Sequence, residues 1–174
     1  MKHALTIIAL ILAQLCITNI AFCASDNSLP KGWRLPIIDD YPENLLALHD
    51  NILPIEVIAD FNGDGQQDKA NYLINDHENK ENLFIFWSFG TKNQKIDRLA
   101  DNDFNSETHF GISLLKPGTH KTACGIGYYE CKPGEPKEIE LSYPGIGYFM
   151  IGSAFSVFYW DGKNKKPNHV WLSD

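Results

Sequence analysis

What this sequence withholds narrows the field before anything it offers. Basic residues form no cluster, and 15 lysines and arginines are outnumbered by 22 aspartates and glutamates, for a net charge of -7. Electrostatic attachment to a nucleic acid backbone or to an anionic membrane surface needs the opposite balance. The N-terminal apolar run, from Ala4 to Ile17, is too short to span a bilayer comfortably. Catalytic signatures are missing too. Gly152-Ser153-Ala154 lacks the framing glycines of a nucleophile elbow. His49, His77, His109, His120 and His169 stand at no zinc-ligand spacing. There is no internal repeat and no low-complexity tract.

Cysteine is scarce, at four residues, and its placement is informative. Cys16 and Cys23 fall in a segment built as Met1-Lys2-His3, an apolar stretch, and small residues around Ala21, Cys23 and Ala24. That order predicts a signal peptide over residues 1–23, with the mature chain starting at Ala24 or Ser25. Bulky Phe22, directly before Cys23, argues against a lipid anchor there. Residues 24–174 are then the size of one domain with its own core. In the oxidising compartment this implies, periplasmic or extracellular, Cys124 and Cys131 form an even pair predicted to be a disulfide. Lys116-Pro117-Gly118 and Lys132-Pro133-Gly134 bracket them with turn signals, and a chain that doubles back would allow the bridge. A redox or metal-binding pair is disfavoured, because the spacing is not Cys-x-x-Cys.

Most of the remaining chain reads as short strands. "IEVIAD" and "ANYLIN" flank a glycine-rich loop, and "NLFIFWSFG" follows the polar "DHENKEN". "KEIELSY", "AFSVFYWD" and the closing "NHVWLSD" are also strand-like. One short amphipathic helix is predicted from Pro42 to about Asp50, on Pro42 and Glu43 in a first turn and Leu45, Leu46 and Leu48 behind them. The expected class is α+β, mainly β, an antiparallel sheet with hairpins; a parallel sheet would need crossover helices that are not there. In "SYPGIGYFMIGSAFSVFYWDG", Phe149, Ile151, Phe155, Val157 and Tyr159 are expected to share one strand face, with Gly152 as a bulge.

The most specific chemical offer is "ADFNGDGQQDKA". Counting Asp60 as the first position puts Asn62, Asp64, Gln66 and Asp68 at the third, fifth, seventh and ninth, with Gly65 at the sixth. Calcium takes six to eight hard oxygen donors, and alternate side chains converge on one centre only where the backbone turns sharply. Gly65, helped by Gly63, supplies residues that tolerate positive φ. Asn71 stands where an EF-hand has its bidentate glutamate, and the flanks are β-like rather than helical. From Val57 to Leu73 the arrangement instead resembles the strand-loop-strand calcium loops of FG-GAP and VCBS-type repeats. That resemblance implies calcium as ligand, held by Asp60, Asn62, Asp64, Gln66 and Asp68. With a single copy of the loop, a propeller is excluded. The competing reading is a plain hairpin turn made by Asn62-Gly63 and Asp64-Gly65.

The latter half, from "FGISLLKPGTHKTACGIGYYECKPGEP" to "SVFYWDGKNKKPNHVWLSD", resembles small exported proteins of Gram-negative bacteria that join one such loop to a cysteine pair. This implies a compartment and a fold, but no activity. The leading functional expectation is an exported, non-catalytic calcium-binding module that binds another protein. An acidic immunity or inhibitor protein set against a basic toxin or envelope enzyme is its concrete form. The alternatives are a cell-envelope hydrolase or carbohydrate-active enzyme using Glu107, His109 or Asp103 beside Asp101, and a structural envelope component.

Overall fold

The computed structural model describes residues 29–41, 55–104 and 110–173. The predicted signal peptide, the predicted helix at Pro42 to Asp50, and Glu107 and His109 lie outside these residues. The described chain is mainly β. Its strands are β1 (Glu56–Ala59), β2 (Asp68–Asn75), β3 (Lys80–Trp87), β4 (Lys95–Arg98), β5 (Asn102–Asp103), β6 (Phe110–Leu115), β7 (Gly118–Lys121), β8 (Glu138–Leu141), β9 (Gly145–Met150), β10 (Phe155–Asp161) and β11 (Lys166–Ser173). Every pairing between these strands is antiparallel. Among the described residues the only helical element is a 3-10 turn at Ile38–Asp40, and no helix is long and apolar enough to cross a membrane.

One sheet runs β1-β2-β3-β4, with β5 also paired to β3, and a second runs β11-β10-β9-β6. Their inner faces share a core in which Tyr72 and Ile74 of β2 and Ile85 and Trp87 of β3 meet Ile146 and Tyr148 of β9 and Phe158 of β10. The outer faces are covered as well. Leu73, Phe84 and Phe86 pack beneath Leu29 and Trp33 of the N-terminal segment. Ile139 and Leu141 of the β7–β8 hairpin lie over Val157 and Leu172. Strands buried on both faces need not alternate, which is why β2 and β3 read as nearly continuous apolar runs.

The turns follow from their polar residues. After β2, the Asn75 side-chain oxygen accepts the amides of His77 and Glu78, both at 3.1 Å, and Asn79 takes a left-handed φ of 55°. Asparagine tolerates both roles. Ahead of β1, Arg34 bridges Ile74 and grips two carboxylates, Asp40 at 2.7 Å and Asp76 at 2.6 Å. This ties the N-terminal segment to the end of β2.

Gly152 is not a bulge inside one strand. The run Ser142 to Gly162 forms two strands, β9 and β10, joined by a turn in which Gly152 has a φ of 82°. Phe149 and Phe155, expected along one strand, are cross-strand partners with stacked rings 6.1 Å apart. Gly152-Ser153 interrupts this apolar run, and the positive φ of the glycine makes the reversal.

The cysteines behave as expected in being bonded, with Cys124 and Cys131 joined at a Cα separation of 5.0 Å. Their segment is a series of turns rather than a strand hairpin. The Thr122 amide donates to the Lys137 carbonyl at 3.0 Å, and the Ala123 amide donates to Trp171 of β11 at 2.9 Å. The staple adds to these hydrogen bonds in holding the loop. Closing so short a ring restricts the unfolded chain by about 2.5 kcal/mol in the loop-entropy relation.

Candidate metal centre

The segment from Asp60 to Gln67 joins β1 to β2, whose register pairs Ala59 with Asp68 across its base. It turns sharply where the glycines stand, with φ of 76° at Gly63 and 82° at Gly65. A side chain would be strained at either position. Gly63 has a further constraint, since a β-carbon there would lie 2.1 Å from the ring of Tyr143.

Within this curl the side chains fold back on their own backbone. Asp60 Oδ1 accepts the Gly63 amide at 2.7 Å and the Asp64 amide at 3.2 Å, while Oδ2 accepts the Gly65 amide at 2.9 Å. Asn62 Oδ1 accepts the Asp64 amide at 2.9 Å, and Asp64 Oδ1 accepts the Gln66 amide at 2.8 Å. The Asn62 amide group also donates to Asp64 Oδ2 at 3.2 Å. This is more than a two-residue hairpin turn. Asp60 organises three successive amides, an arrangement that gives the loop one shape before any ligand is considered.

Asp68 plays a different part. It is wholly buried at the start of β2, where Oδ2 accepts the Phe61 amide at 2.9 Å and Oδ1 accepts the Ser88 amide at 2.8 Å. Its carboxylate therefore links the loop to the connection after β3. Burial raises its pKa, the two amides oppose that rise, and the negative charges of Asp64 and Asp60 add to it. Among the described residues no lysine or arginine forms an ion pair with Asp60, Asp64 or Asp68.

The structure thus brings Asp60, Asn62 and Asp64 together through hydrogen bonds and sets Asp68 beneath them. Gln66 is exposed and would contribute its backbone carbonyl. The donor set is oxygen throughout, which suits a hard dication. An ionised carboxylate has about four acceptor positions, so Asp60 and Asp64 retain capacity beyond the amides they hold. The chemistry fits calcium. Yet among the described residues no group of three or more His, Cys, Asp or Glu side chains is gathered as a metal cluster.

The other acids singled out from sequence are accounted for on the surface. Asp103 pairs with Lys80 at 2.6 Å, and Asp101 stands 3.9 Å from Lys80 and 3.5 Å from Arg98.

One acid escaped the sequence reading. Glu81, in β3, is fully buried, and Tyr72 donates its hydroxyl to Glu81 Oε2. Among the described residues, Glu81 Oε1 has no hydrogen-bond partner. Burial pushes its carboxyl up from 4.5 to about 7, and the Tyr72 hydrogen bond offsets part of the rise. Nearby, Asn102 donates to the Tyr148 hydroxyl at 2.5 Å, and the Glu81 charge helps raise the pKa of Tyr148. No local motif could have revealed this cluster, whose members come from β2, β3, β5 and β9.

No family model, curated protein or solved structure matches this chain.

Proposed function

We propose that this is an exported, non-catalytic β-sandwich domain whose Asp60–Asp68 loop takes one calcium ion and whose surface engages another protein. The observation that carries the calcium reading is the loop itself: three carboxylates without a basic partner, on a backbone curled at Gly63 and Gly65. Asp60, Asn62, Asp64, the Gln66 carbonyl and Asp68 would hold the ion. When bound, it would neutralise the charge that burial and mutual repulsion now penalise at Asp68.

The disulfide supports residence in the periplasm or outside the cell. The net charge of -7 supports a basic protein partner, with an immunity or inhibitor role as the specific form.

Without a glutamate at the twelfth position, the loop belongs with the weaker extracellular calcium modules, at Kd of roughly 10⁻⁴–10⁻³ M. Calcium at ten to a hundred times that Kd would stabilise the fold by about 1.4–2.7 kcal/mol, or roughly 3–10 °C in Tm. Thermal melts in calcium, in magnesium and in chelator test this. A rise specific to calcium and reversed by chelator is expected; identical melts in all three overturn the ion assignment. The partner reading is tested separately by pull-down from envelope extract, where a stoichiometric basic protein is expected and its absence counts against the immunity role.

A further inference from the structure

The two sheets diverge at one edge, where β4 faces the β10–β11 hairpin. Across β3 and β4, Trp87 is paired with Lys95 and Ile85 with Asp97, so all four project toward the other sheet. From the other side, Trp160 is paired with Pro167 and Phe158 with His169. Trp87 and Trp160 meet edge to face, with centroids 5.3 Å apart. Phe158 and His169 stack at 4.4 Å.

Above this apolar floor lie two hollows. One, of about 450 Å³, is lined by the loop residues Asn62 and Asp64 together with Trp87, Asn93, Lys95 and Trp160. The other, of about 470 Å³, is lined by Arg98, Phe158, Asn168 and His169. Asp97, Lys166 and Pro167 border both, which makes them one groove along β4.

The groove's charge runs against that of the chain. Lys95, Lys165 and Lys166 line it, and among the described residues none has a carboxylate within ion-pair distance. Adjacent lysines reach this rim because the hairpin turn is fixed: Asp161 Oδ1 accepts the amides of Lys163 at 2.9 Å and Asn164 at 3.1 Å, and Lys165 follows in a left-handed φ of 51°. Asp64 and Asp97 also line it, Asp97 accepting the Trp87 indole N–H at 2.6 Å, so the three lysines face two carboxylates.

We propose that this groove binds a short acidic oligosaccharide. Each volume falls within the range of small-ligand sites, which pair apolar walls with a few placed polar groups. Tryptophan and proline surfaces suit the C–H face of a sugar ring. The side chains of Asn62 and Asn93 both donate and accept, as a hydroxyl-rich ligand requires, and the unpaired lysines meet its carboxylates. Trp87 is only 8% exposed, so the half-buried Trp160, with Pro167 beside it, supplies the open ring face. The proposal does not rest on calcium in the loop, although Asn62 and Asp64 border both features.

The test titrates the full chain, following tryptophan emission and calorimetry, with a linear galacturonic acid tetramer, a neutral glucose tetramer and hexaglutamate, each in calcium and in chelator. The uronate tetramer is expected to bind saturably in both conditions and to weaken with salt, with the neutral tetramer at least about tenfold weaker. Trp160→Ala should abolish binding. Because that residue also packs on the core, the exposed pair Lys95→Ala with Lys166→Ala serves as the second variant, expected to lose at least about tenfold in affinity at unchanged Tm. No saturable uronate binding, equal binding of the neutral sugar, tighter binding of hexaglutamate, or a double variant with full affinity would each overturn the proposal. Binding lost only in chelator would overturn its independence from the loop.

Discussion

Two regions of this domain hold acids without a cation, and they solve the problem in opposite ways. In the Asp60–Asp68 loop the carboxylates are satisfied by backbone amides, three of them on Asp60 alone. In the core, Glu81 has a single hydroxyl donor, from Tyr72, and one oxygen with none. The difference teaches where charge is tolerated. At Asp68 oriented amides offset part of the rise that burial causes, while Glu81, in an aromatic setting, moves further toward its neutral form. The loop is therefore suited to a cation, and the core pair is suited to a proton.

The largest effect expected from this contrast is on pH dependence. Burial raises the Glu81 carboxyl from 4.5 to about 7, so its contribution to folding is complete below pH 4.5 and is lost as pH rises through 7. The loss amounts to roughly 3 kcal/mol. Asp76, Glu135 and Asp161 are held low by Arg34, by Tyr129 and by Asn164 respectively and act in the opposite direction at more acid pH, while His169, lowered from 6.5 by burial, offsets part of the fall below pH 6.5. Urea denaturation from pH 4.5 to 8 should show stability falling, and Glu81→Gln should flatten the curve. A wild-type curve that rises over this window would break the comparison on the core side.

Next in size is Asp68→Ala, which leaves the Phe61 and Ser88 amides without their acceptor. A loss of about 2–3 kcal/mol is expected in chelator, by chemical denaturation. Tyr72→Phe should follow at about 1–2 kcal/mol at pH 8, because Glu81 then loses its only donor. The same change moves the Glu81 transition to higher pH, which the denaturation series would resolve. The smallest direct effect belongs to Asp64→Ala, an exposed substitution expected to cost under about 1 kcal/mol in chelator. Its diagnostic is the disappearance of calcium stabilisation. If Asp64→Ala keeps the full calcium shift, the loop's acids are structural only.

How much of this was legible in the sequence follows the same division. The loop could be read because its chemistry is local: spacing, glycines and acids lie within a few positions, and the structure places Asp60, Asn62 and Asp64 in one hydrogen-bonded curl. The strands β2, β3, β10 and β11 were visible as apolar runs. β4 was not, since Lys95–Arg98 is an exposed edge strand with charge along it, the pattern that keeps edges from pairing. Glu81 was hidden inside the polar "DHENKEN", where nothing distinguishes it from the exposed residues 76–79. It interacts with Tyr72 and Tyr148, and the second of these arrives on β9 from the other sheet. The groove was equally out of reach, because Trp87 and Trp160 meet only once the sandwich has assembled.

The Tyr143 ring, pressed against the bare backbone of Gly63, belongs to the stretch that leads into β9, whereas Gly63 sits on a connection of the opposite layer. The phenol occupies the space a side chain at Gly63 would need, so the close approach of the two layers at this point is itself a reason for glycine in the curl. With the ring 38% exposed, a label at this one position would lie beside both.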